Sequence, residues 1–454
     1  MTKKLTPELL ARIKAMAPKY RPIPLRQFHD PPKARQDKNL TEPKDSKWRH
    51  QDEAVEAFLL VKGGVLEMAT GTGKTRTALR ILTRLHRIEA INGAIVCTDG
   101  TDLLDQWCQE IEEWTLALGM PYRTLKHYGT HHRGGEFVLS PRESILVISR
   151  GQLHMTLSRL PNEVTGRLLI VHDEVHGLGA PGCRENLAGK HAAFGYRLGL
   201  TATPEREYDE EGTKFLFEEL AGPGVDEPFF RFGLEDAIRR GILCEFDYVP
   251  LEYRLTQEDR KALQAVYKKQ AARNHAGNPM TKEELWIELS KVYKRAAHKP
   301  IVFADYVAKC PNILQSTIVF VEDREFGERL YDTIHRQTYR FSQYYADDKP
   351  RTLLRFADGE LDCLITCHKL SQGIDIRGLR NVVLFSSSRP KLETIQRIGR
   401  CLRTNPEEPD KRARVVDFVR VVESEQDFDN ADQQRKEWLE KLSAIRRNSN
   451  ADSQ

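Results

Sequence analysis

From Lys47 onward, apolar runs of strand length alternate with longer segments whose apolar residues recur at helical spacing. A helix is expected over Asp52 to Val61, then an apolar strand at Gly64, Val65 and Leu66, then a helix through Ala78, Leu79, Leu82 and Leu85. The alternation continues with a strand at Ala94–Cys97, a helix at Leu103–Trp114, and strands at Ser144–Ile148, Leu168–Val171 and Arg197–Leu200. It resumes with strands at Thr317–Val321, Leu361–Thr366, Val382–Phe385 and Arg414–Phe418. Such an alternation predicts an α/β fold, with parallel sheets covered on both faces. Two α/β units flank a different middle.

That middle, Thr256 to Lys299, reads as helices. Thr256-Gln-Glu-Asp259 and Thr281-Lys-Glu-Glu284 have the form of capping boxes, and Asn274 to Pro279 supplies a turn between them. Leu285, Leu289 and Val292 share one face of the second helix, with Lys291, Lys294 and Arg295 nearby. A helical hairpin projecting from the second unit is expected. Its basic residues serve either a nucleic-acid backbone or a charge-laced solvent face. Beyond Phe418 the chain turns acidic and ends in an amphipathic helix with Trp438, Leu442 and Ile445 on one side. That helix either packs on the second unit or docks a partner. The expected divisions are an arm at 1–46, a first unit at 47–232, a second at 233–420 with the insertion at 256–299, and a tail at 421–454.

At 454 residues, with 40% hydrophobic and 30% charged positions, the chain suits a soluble protein of two or three domains. No run reaches membrane-span length, and the Met-Thr-Lys-Lys-Leu-Thr-Pro start lacks a signal-peptide core, so a cytoplasmic protein without membrane contact is expected. The eight cysteines show no paired CxxC spacing. Cys363 and Cys367-His368 lack a second ligand pair, so the cysteines read as reduced and structural. The net charge of +4 conceals an asymmetry: residues 1–50 hold thirteen Lys and Arg against five Asp and Glu, with seven of the 22 prolines. A basic, proline-rich arm suits nucleic acid or an acidic partner, or wraps the first unit as a solvated leader.

The candidate chemistry begins at Met68-Ala-Thr-Gly-Thr-Gly-Lys-Thr75, between the first strand and its helix. Glycines let backbone N–H groups of Thr70, Gly71, Thr72 and Gly73 turn toward phosphates. Lys74 reaches the β/γ oxygens, and Thr75 holds Mg²⁺. The strict pattern would place a further glycine where this chain has Met68. About a hundred residues later, an apolar strand delivers Asp173 and Glu174. One carboxylate can hold the metal, largely through water, and the next can activate the attacking water.

These residues belong to an ordered series that resembles superfamily 2 helicases and translocases over about Lys47 to Val421. Trp48-Arg49-His50-Gln51 looks like the adenine-reading element, which implies cofactor contacts from Arg49 and Gln51. Val96-Cys97-Thr98-Asp99 through Trp107 is similar to motif Ia, Asp173-Glu174-Val175-His176 to the DExH form of motif II, and Leu200-Thr201-Ala202-Thr203-Pro204 to motif III. Ile318 to Val321 fits motif IV, Thr366 with Ser371-Gln372-Gly373-Ile374-Asp375 fits motif V, and Gln396 to Arg403 fits motif VI. The resemblance implies two tandem RecA-like parallel-sheet domains with a thumb-like helical insertion, and ATP with Mg²⁺ held between them. Lys74, Glu174, Arg400 and Arg403 then carry the catalysis. Gly373 and Asp375 add nucleotide contacts, while Thr98, His176, Thr201, Thr203 and Thr366 couple the site to nucleic acid.

Within the superfamily the details resemble the XPB-like and restriction-motor branch. Gly177-Leu178-Gly179-Ala180-Pro181 follows His176, and Arg206-Glu207-Tyr208-Asp209 looks like an Arg-Glu-Asp element interrupted by Tyr208. Phe232 to Leu243 also resembles that branch's approach to its second motor domain. DEAD-box RNA helicases have Ser-Ala-Thr in motif III and His where this chain has Gln396, so DNA is favoured over RNA as the partner. The implied function is an ATP-driven DNA helicase or translocase in bacterial defence or repair, with a nuclease or other defence or repair subunits as possible partners. The rivals are an RNA helicase of the same fold and a nucleotide-switched DNA-binding assembly subunit that does not unwind. The tail at 421–454 is too short for a nuclease fold of its own.

Deleting residues 1–46 is expected to weaken DNA binding and flatten its salt dependence while sparing basal ATP hydrolysis. Each lost phosphate contact lowers the log–log salt slope by about 0.7 to 0.9. An unchanged slope in the folded, truncated protein would assign the arm to packing or to a protein partner.

Overall fold

The computed structural model describes residues 46–206, 209–345, 348, 351–367, 376, 378–385, 391–421 and 431–446. Helix α1 (Arg49–Val61) leads into strand β1 (Gly63–Met68), helix α2 (Lys74–Arg87), strand β2 (Gly93–Thr98) and helix α3 (Thr101–Leu118). Strands β3 (Arg123–His127), β4 (Ser144–Ser149), β5 (Leu168–His172), β6 (Tyr196–Thr201) and β7 (Phe230–Phe232) complete a seven-stranded sheet in the order β3-β4-β2-β5-β6-β1-β7. Every pairing in it is parallel. Two of its central strands, β2 and β5, are buried along their whole length, because helices cover both faces.

A second, six-stranded sheet follows. It contains β8 (Phe246–Tyr253), β9 (Thr317–Phe320), β10 (Phe341–Tyr344), β11 (Cys363–Thr366), β12 (Asn381–Leu384) and β13 (Ala413–Arg420), in the order β10-β11-β9-β12-β13-β8. It too is parallel throughout. Both sheets are RecA-like parallel α/β units. The chain passes from one to the other through the helix Leu234–Arg239, after which Leu243 bridges Arg403 and the Cys244 N–H donates to Leu402 O at 2.7 Å.

The sequence pattern predicts nine of these strands in place. The four it does not predict, β3, β7, β8 and β10, are the four edges of the two sheets. The reason is solvation. An edge strand lacks a neighbour on one side and needs no continuous apolar run. Thus β3 buries Leu125 alone, β7 has three residues, and β8 accommodates Pro250.

The insertion forms a hairpin of helices α4 (Gln257–His275) and α5 (Lys282–Lys294). Both capping boxes close reciprocally. Thr256 N donates to Asp259 Oδ2 at 2.8 Å and Asp259 N to Thr256 Oγ1 at 3.2 Å, while Thr281 N donates to Glu284 Oε2 at 2.9 Å and Glu284 N to Thr281 Oγ1 at 3.1 Å. Lys291, Lys294 and Arg295 each face a carboxylate, of Glu288 (2.9 Å), Glu322 (3.1 Å) and Asp323 (3.4 Å). That pairing favours the solvent-face reading of these three residues.

Helix α6 (Lys391–Cys401) precedes β13, and helix α7 (Ala431–Ser443) returns along β13 and β8 with Leu439 and Leu442 buried. Arg435 of α7 is buried against Asp417 of β13 (2.8 Å) and Asp432 (3.0 Å). Tyr253 Oη donates to Asp432 Oδ2 at 3.1 Å. Burial opposes the ionisation of Asp432, but Arg435 and Lys299 hold its pKa below the ordinary aspartate value. Its contribution to stability is therefore complete above that ordinary value and disappears as pH falls through the lowered one. Arg435→Met is expected to lower the unfolding free energy by about 3–5 kcal/mol in urea titrations, because it strands two buried carboxylates. A loss below about 1 kcal/mol would show the pair to be dispensable.

Candidate active site between the two sheets

Three adjacent strands, β5, β6 and β1, send their carboxyl ends to one place. The loop after β1 runs through Thr70, Gly71, Thr72 and Gly73 to the first residue of α2, Lys74. Gly71 (φ +88°) and Gly73 (φ +92°) adopt the left-handed conformation that residues with a Cβ disfavour. A Cβ on Gly73 would also lie 2.3 Å from Gln51 Nε2. The loop is held from behind: Thr72 O accepts from Gln51 Nε2 at 3.2 Å and lies 2.9 Å from His50 Nε2, and Thr72 Oγ1 donates to Ala69 O at 2.7 Å. Lys74 Nζ donates to Met68 O at 3.2 Å, and Thr75 is half-buried beside it.

The two residues expected to read adenine, Arg49 and Gln51, each have protein partners. Gln51 is 2% exposed, and its amide is occupied at both ends, by Thr72 and by Arg80 Nη1 at 3.4 Å. Arg49 lies at the surface, paired with Glu53 at 3.1 Å. Gln51 thus acts as a brace between α1 and the loop.

Asp173 and Glu174 follow β5. Asp173 is buried, and its carboxylate accepts from Trp107 Nε1 at 2.8 Å and from the Glu174 N–H at 2.9 Å. Burial, and then the charge of Glu174, push its pKa up to about 6 against the pull of Trp107 and Lys74. Glu174 has φ +47°, a left-handed conformation unusual for a residue with a side chain. Arg150, just after β4, holds this backbone. Its Nη2 donates to Asp173 O at 2.9 Å and Glu174 O at 3.2 Å, and its Nε to Asp99 Oδ2 at 2.7 Å. Sequence reasoning misses Arg150, because a single arginine at the start of a short helix, Arg150–Leu157, carries no pattern of its own.

The second sheet supplies the opposite wall through α6. Gln396 Nε2 donates to Glu174 Oε2 at 3.2 Å, and His176 Nδ1 lies 3.5 Å from the same oxygen. Gly399 sits so close to the phosphate loop that a Cβ there would meet Thr70 Cβ at 2.9 Å. From where a Cβ of Gly71 would stand, Gly399 O and Arg403 Cγ are each 3.6 Å away. Burial, and then the neighbouring Arg403, lower the Arg400 pKa to about 10, while Glu174 opposes the shift, so the guanidinium stays charged at neutral pH. Lys411 Nζ ties down the end of this segment by donating to Cys401 O at 3.0 Å and Arg403 O at 2.7 Å. Lys411 too is absent from the sequence reading.

The expected coupling residues lie at strand ends. Thr98 closes β2 and is fully buried, Thr366 closes β11, and Thr201 Oγ1 donates to Thr203 O at 2.7 Å, forming a tight turn after β6. His176 O accepts from Arg206, whose Nε donates to Asp209 Oδ2 at 2.8 Å. The arginine and aspartate of the interrupted element therefore pair with each other. Gly373 and Asp375 lie outside the described residues, as do Tyr208 and the arm at 1–45.

Comparisons with known proteins agree with the two-sheet fold. The family model for the type III restriction enzyme res subunit matches residues 46–206, and that for the helicase conserved C-terminal domain matches residues 288–405. The DNA 3'-5' translocase XPB2 of Sulfurisphaera tokodaii is 26% identical over 393 residues, covering 82% of this chain and 80% of that relative. A relative from Halobacterium salinarum, provisionally designated a DNA 3'-5' helicase Rad25, is 27% identical over 360 residues, 78% of this chain and 52% of its own length. In fold, the chain is similar to the DNA-bound ATP-dependent Type ISP restriction-modification enzyme LlaBIII, with a TM-score of 0.57 and 15% identity over 87% of this chain and 29% of that one. The chain thus spans only about half of one curated relative and less than a third of that restriction enzyme. Among the described residues, no helix is long and apolar enough to cross a membrane.

Arg150→Met is expected to lower kcat for ATP hydrolysis about a hundredfold with little change in KM, since it lets the Glu174 backbone shift without touching the phosphate loop. Steady-state kinetics on a folded variant check this. A kcat within about threefold of wild type would show that the Glu174 conformation holds without Arg150.

Proposed function

We propose that the chain is a superfamily 2 motor of the XPB-like and restriction-motor type, and that it hydrolyses ATP between its two sheets to move along, or remodel, DNA. The observation that carries this reading is the seating of α6 on the phosphate loop, with Gln396 on Glu174 and Gly399 against Thr70. Such a joint makes the state of one wall felt by the other.

The donor set fits a nucleotide with a divalent cation. Asp173 is a buried carboxylate whose ionisation is opposed by burial and by Glu174, a conflict that a cation resolves. Thr75 and Asp173 would hold Mg²⁺, and Lys74 with the Thr70–Gly73 amides would hold the phosphates. When bound, Mg²⁺ supplies neutralisation of phosphate charge. Glu174, oriented by Gln396 and held at its backbone by Arg150, takes the proton of the attacking water. Arg400 and Arg403 offset charge developing on the transferred phosphoryl group, a role that a planar, permanently charged guanidinium suits.

DNA is favoured as the track by the names of the relatives and by the Thr-Ala-Thr turn at 201–203. A setting in restriction-type defence is favoured by the res-subunit match and the restriction-enzyme fold neighbour, with repair as the alternative suggested by the XPB-type relatives. Specificity then comes from the basic arm, the helical hairpin or a partner subunit such as a nuclease.

ATP hydrolysis by the purified chain is expected to rise with single-stranded or duplex DNA and to respond little to RNA. Stimulation by RNA alone would transfer the reading to an RNA helicase. Within the same assay, Glu174→Gln should retain ATP binding and lose at least about a hundredfold in turnover. Arg400→Ala should lose about three orders of magnitude or more, and Arg400→Lys should not rescue it. Normal DNA-stimulated hydrolysis by Arg400→Ala would refute a site shared between the sheets.

A further inference from the structure

Along the outer edge of the second sheet, away from the nucleotide loop, β10 and the short helix Tyr331–His335 enclose a cavity of about 410 Å³. That volume lies within the usual range for ligand pockets, about 300–1,000 Å³. Five of its nine lining residues are aromatic, and Ser342, Gln343, Arg324 and Asp348 complete the wall. The rings of Tyr331 and His335 stack at 5.4 Å and 20°, Tyr339 stands edge-on to His335 at 4.8 Å, and Phe341 packs against Tyr331 at 5.1 Å. Where β10 ends, the Arg324 guanidinium lies 4.8 Å from the ring centre of Tyr345.

Two of these rings are held outward rather than buried. Tyr339 is 83% exposed and Tyr331 46% exposed. Arg324 is exposed as well and pairs with no carboxylate among the described residues, whereas its neighbour Arg329 is paired with Glu325. An aromatic cup with a guanidinium at its lip is the chemistry that binds a base by its π face and a phosphate by charge. The cup runs along the edge of the sheet. Tyr344, Thr366 and Phe320 share one level, so its Arg324–Tyr345 end lies level with the carboxyl ends of β11 and β9, while Phe341, paired with Cys363, sets its Tyr339 end at the amino end of β11. A peptide adding to the free edge of β10 is the weaker fit, because four residues offer it few ladder bonds.

We propose that this aromatic cup is an accessory site for an unpaired nucleobase of the strand on which the motor acts, with Tyr339 and Tyr331 stacking on the base and Arg324, at the other end of the cup, meeting a phosphate further along the same strand. The proposal rests on the reading of the chain as a nucleic-acid motor. None of the three residues belongs to the nucleotide site, so basal ATP hydrolysis is left unchanged by their substitution.

The test is fluorescence anisotropy without hydrolysis, using labelled oligo(dT) and an abasic strand of equal length, with an oligo(U) arm to identify the preferred sugar. Wild type is expected to bind the base-bearing strand roughly tenfold more tightly than the abasic one. Tyr339→Ala should lose most of that preference while keeping its affinity for the abasic strand and its salt slope, and Tyr339→Phe should restore it. Because Tyr339 is so exposed, its replacement leaves folding intact. An undiminished preference in the Tyr331→Ala, Tyr339→Ala double variant overturns the proposal and leaves the edge to a protein strand. If wild type binds both strands equally, the cup alone is refuted. If it binds no strand, the motor reading falls with it.

Discussion

The close approach of Gly399 to Thr70 sets the spacing on which the rest of the site depends. A helix can lie this near a loop only where it has no side chain: one methyl at 399 would come within 2.9 Å of Thr70 Cβ. Gln396 and Arg400 sit on the same helix, so their reach toward Glu174 is fixed by that contact. Packed interiors pass displacement on rather than absorbing it, so an ångström of lift at Gly399 is felt at Glu174. The segment after the helix is tied down in turn. Lys411 holds the carbonyls of Cys401 and Arg403, and Cys244 of the inter-sheet connection bonds to Leu402. The covalent link between the sheets is therefore pinned to the same joint as the chemistry.

Electrostatics give that joint its direction. Two adjacent carboxylates, one of them buried, repel each other and favour any cation placed between them and the phosphate loop. Arg150 does not relieve this repulsion at the carboxylates, because its bonds go to their backbone carbonyls and to Asp99. Its charge stabilises the strained φ of Glu174 from behind and leaves the front of the pair open. Arg400, desolvated and next to Arg403, has the opposite conflict. The carboxylate pair thus calls for a cation and the arginine pair for an anion, and a phosphate that arrives with a divalent cation answers both.

What the sequence revealed and what it concealed divide along physical lines. The phosphate loop, the carboxylate pair and the Thr-Ala-Thr turn are contiguous, because each is one loop after one buried strand, so their spacing is readable. Arg150 works through backbone carbonyls 23 and 24 residues away and Lys411 through carbonyls ten and eight residues away, and an arginine or lysine that bonds a carbonyl leaves no pattern. The same holds for Gln51, whose position matches a base-reading element while its amide braces the loop. Four strands escaped prediction because burial writes the apolar pattern, and edges are only half-buried. On the hairpin the capping boxes were legible as local hydrogen-bond chemistry, but the fate of its basic residues depended on Glu322 and Asp323, thirty or so residues away.

That division also separates what this chain shares with the relatives it matches from what is its own. Central strands are covered on both faces and tolerate little change, so the loops at their ends keep fixed relative positions, as catalysis requires. Edge strands are under no such constraint. In the second sheet one edge, β8, is covered by α7 through the buried Arg435 pair, which fills an apolar and ionic seam with the chain's own tail. The other, β10, is lined instead by exposed aromatic rings. Exposed tyrosines add nothing to a core and present apolar area to water, so a row of them beside β10 marks a surface kept for contact rather than for packing.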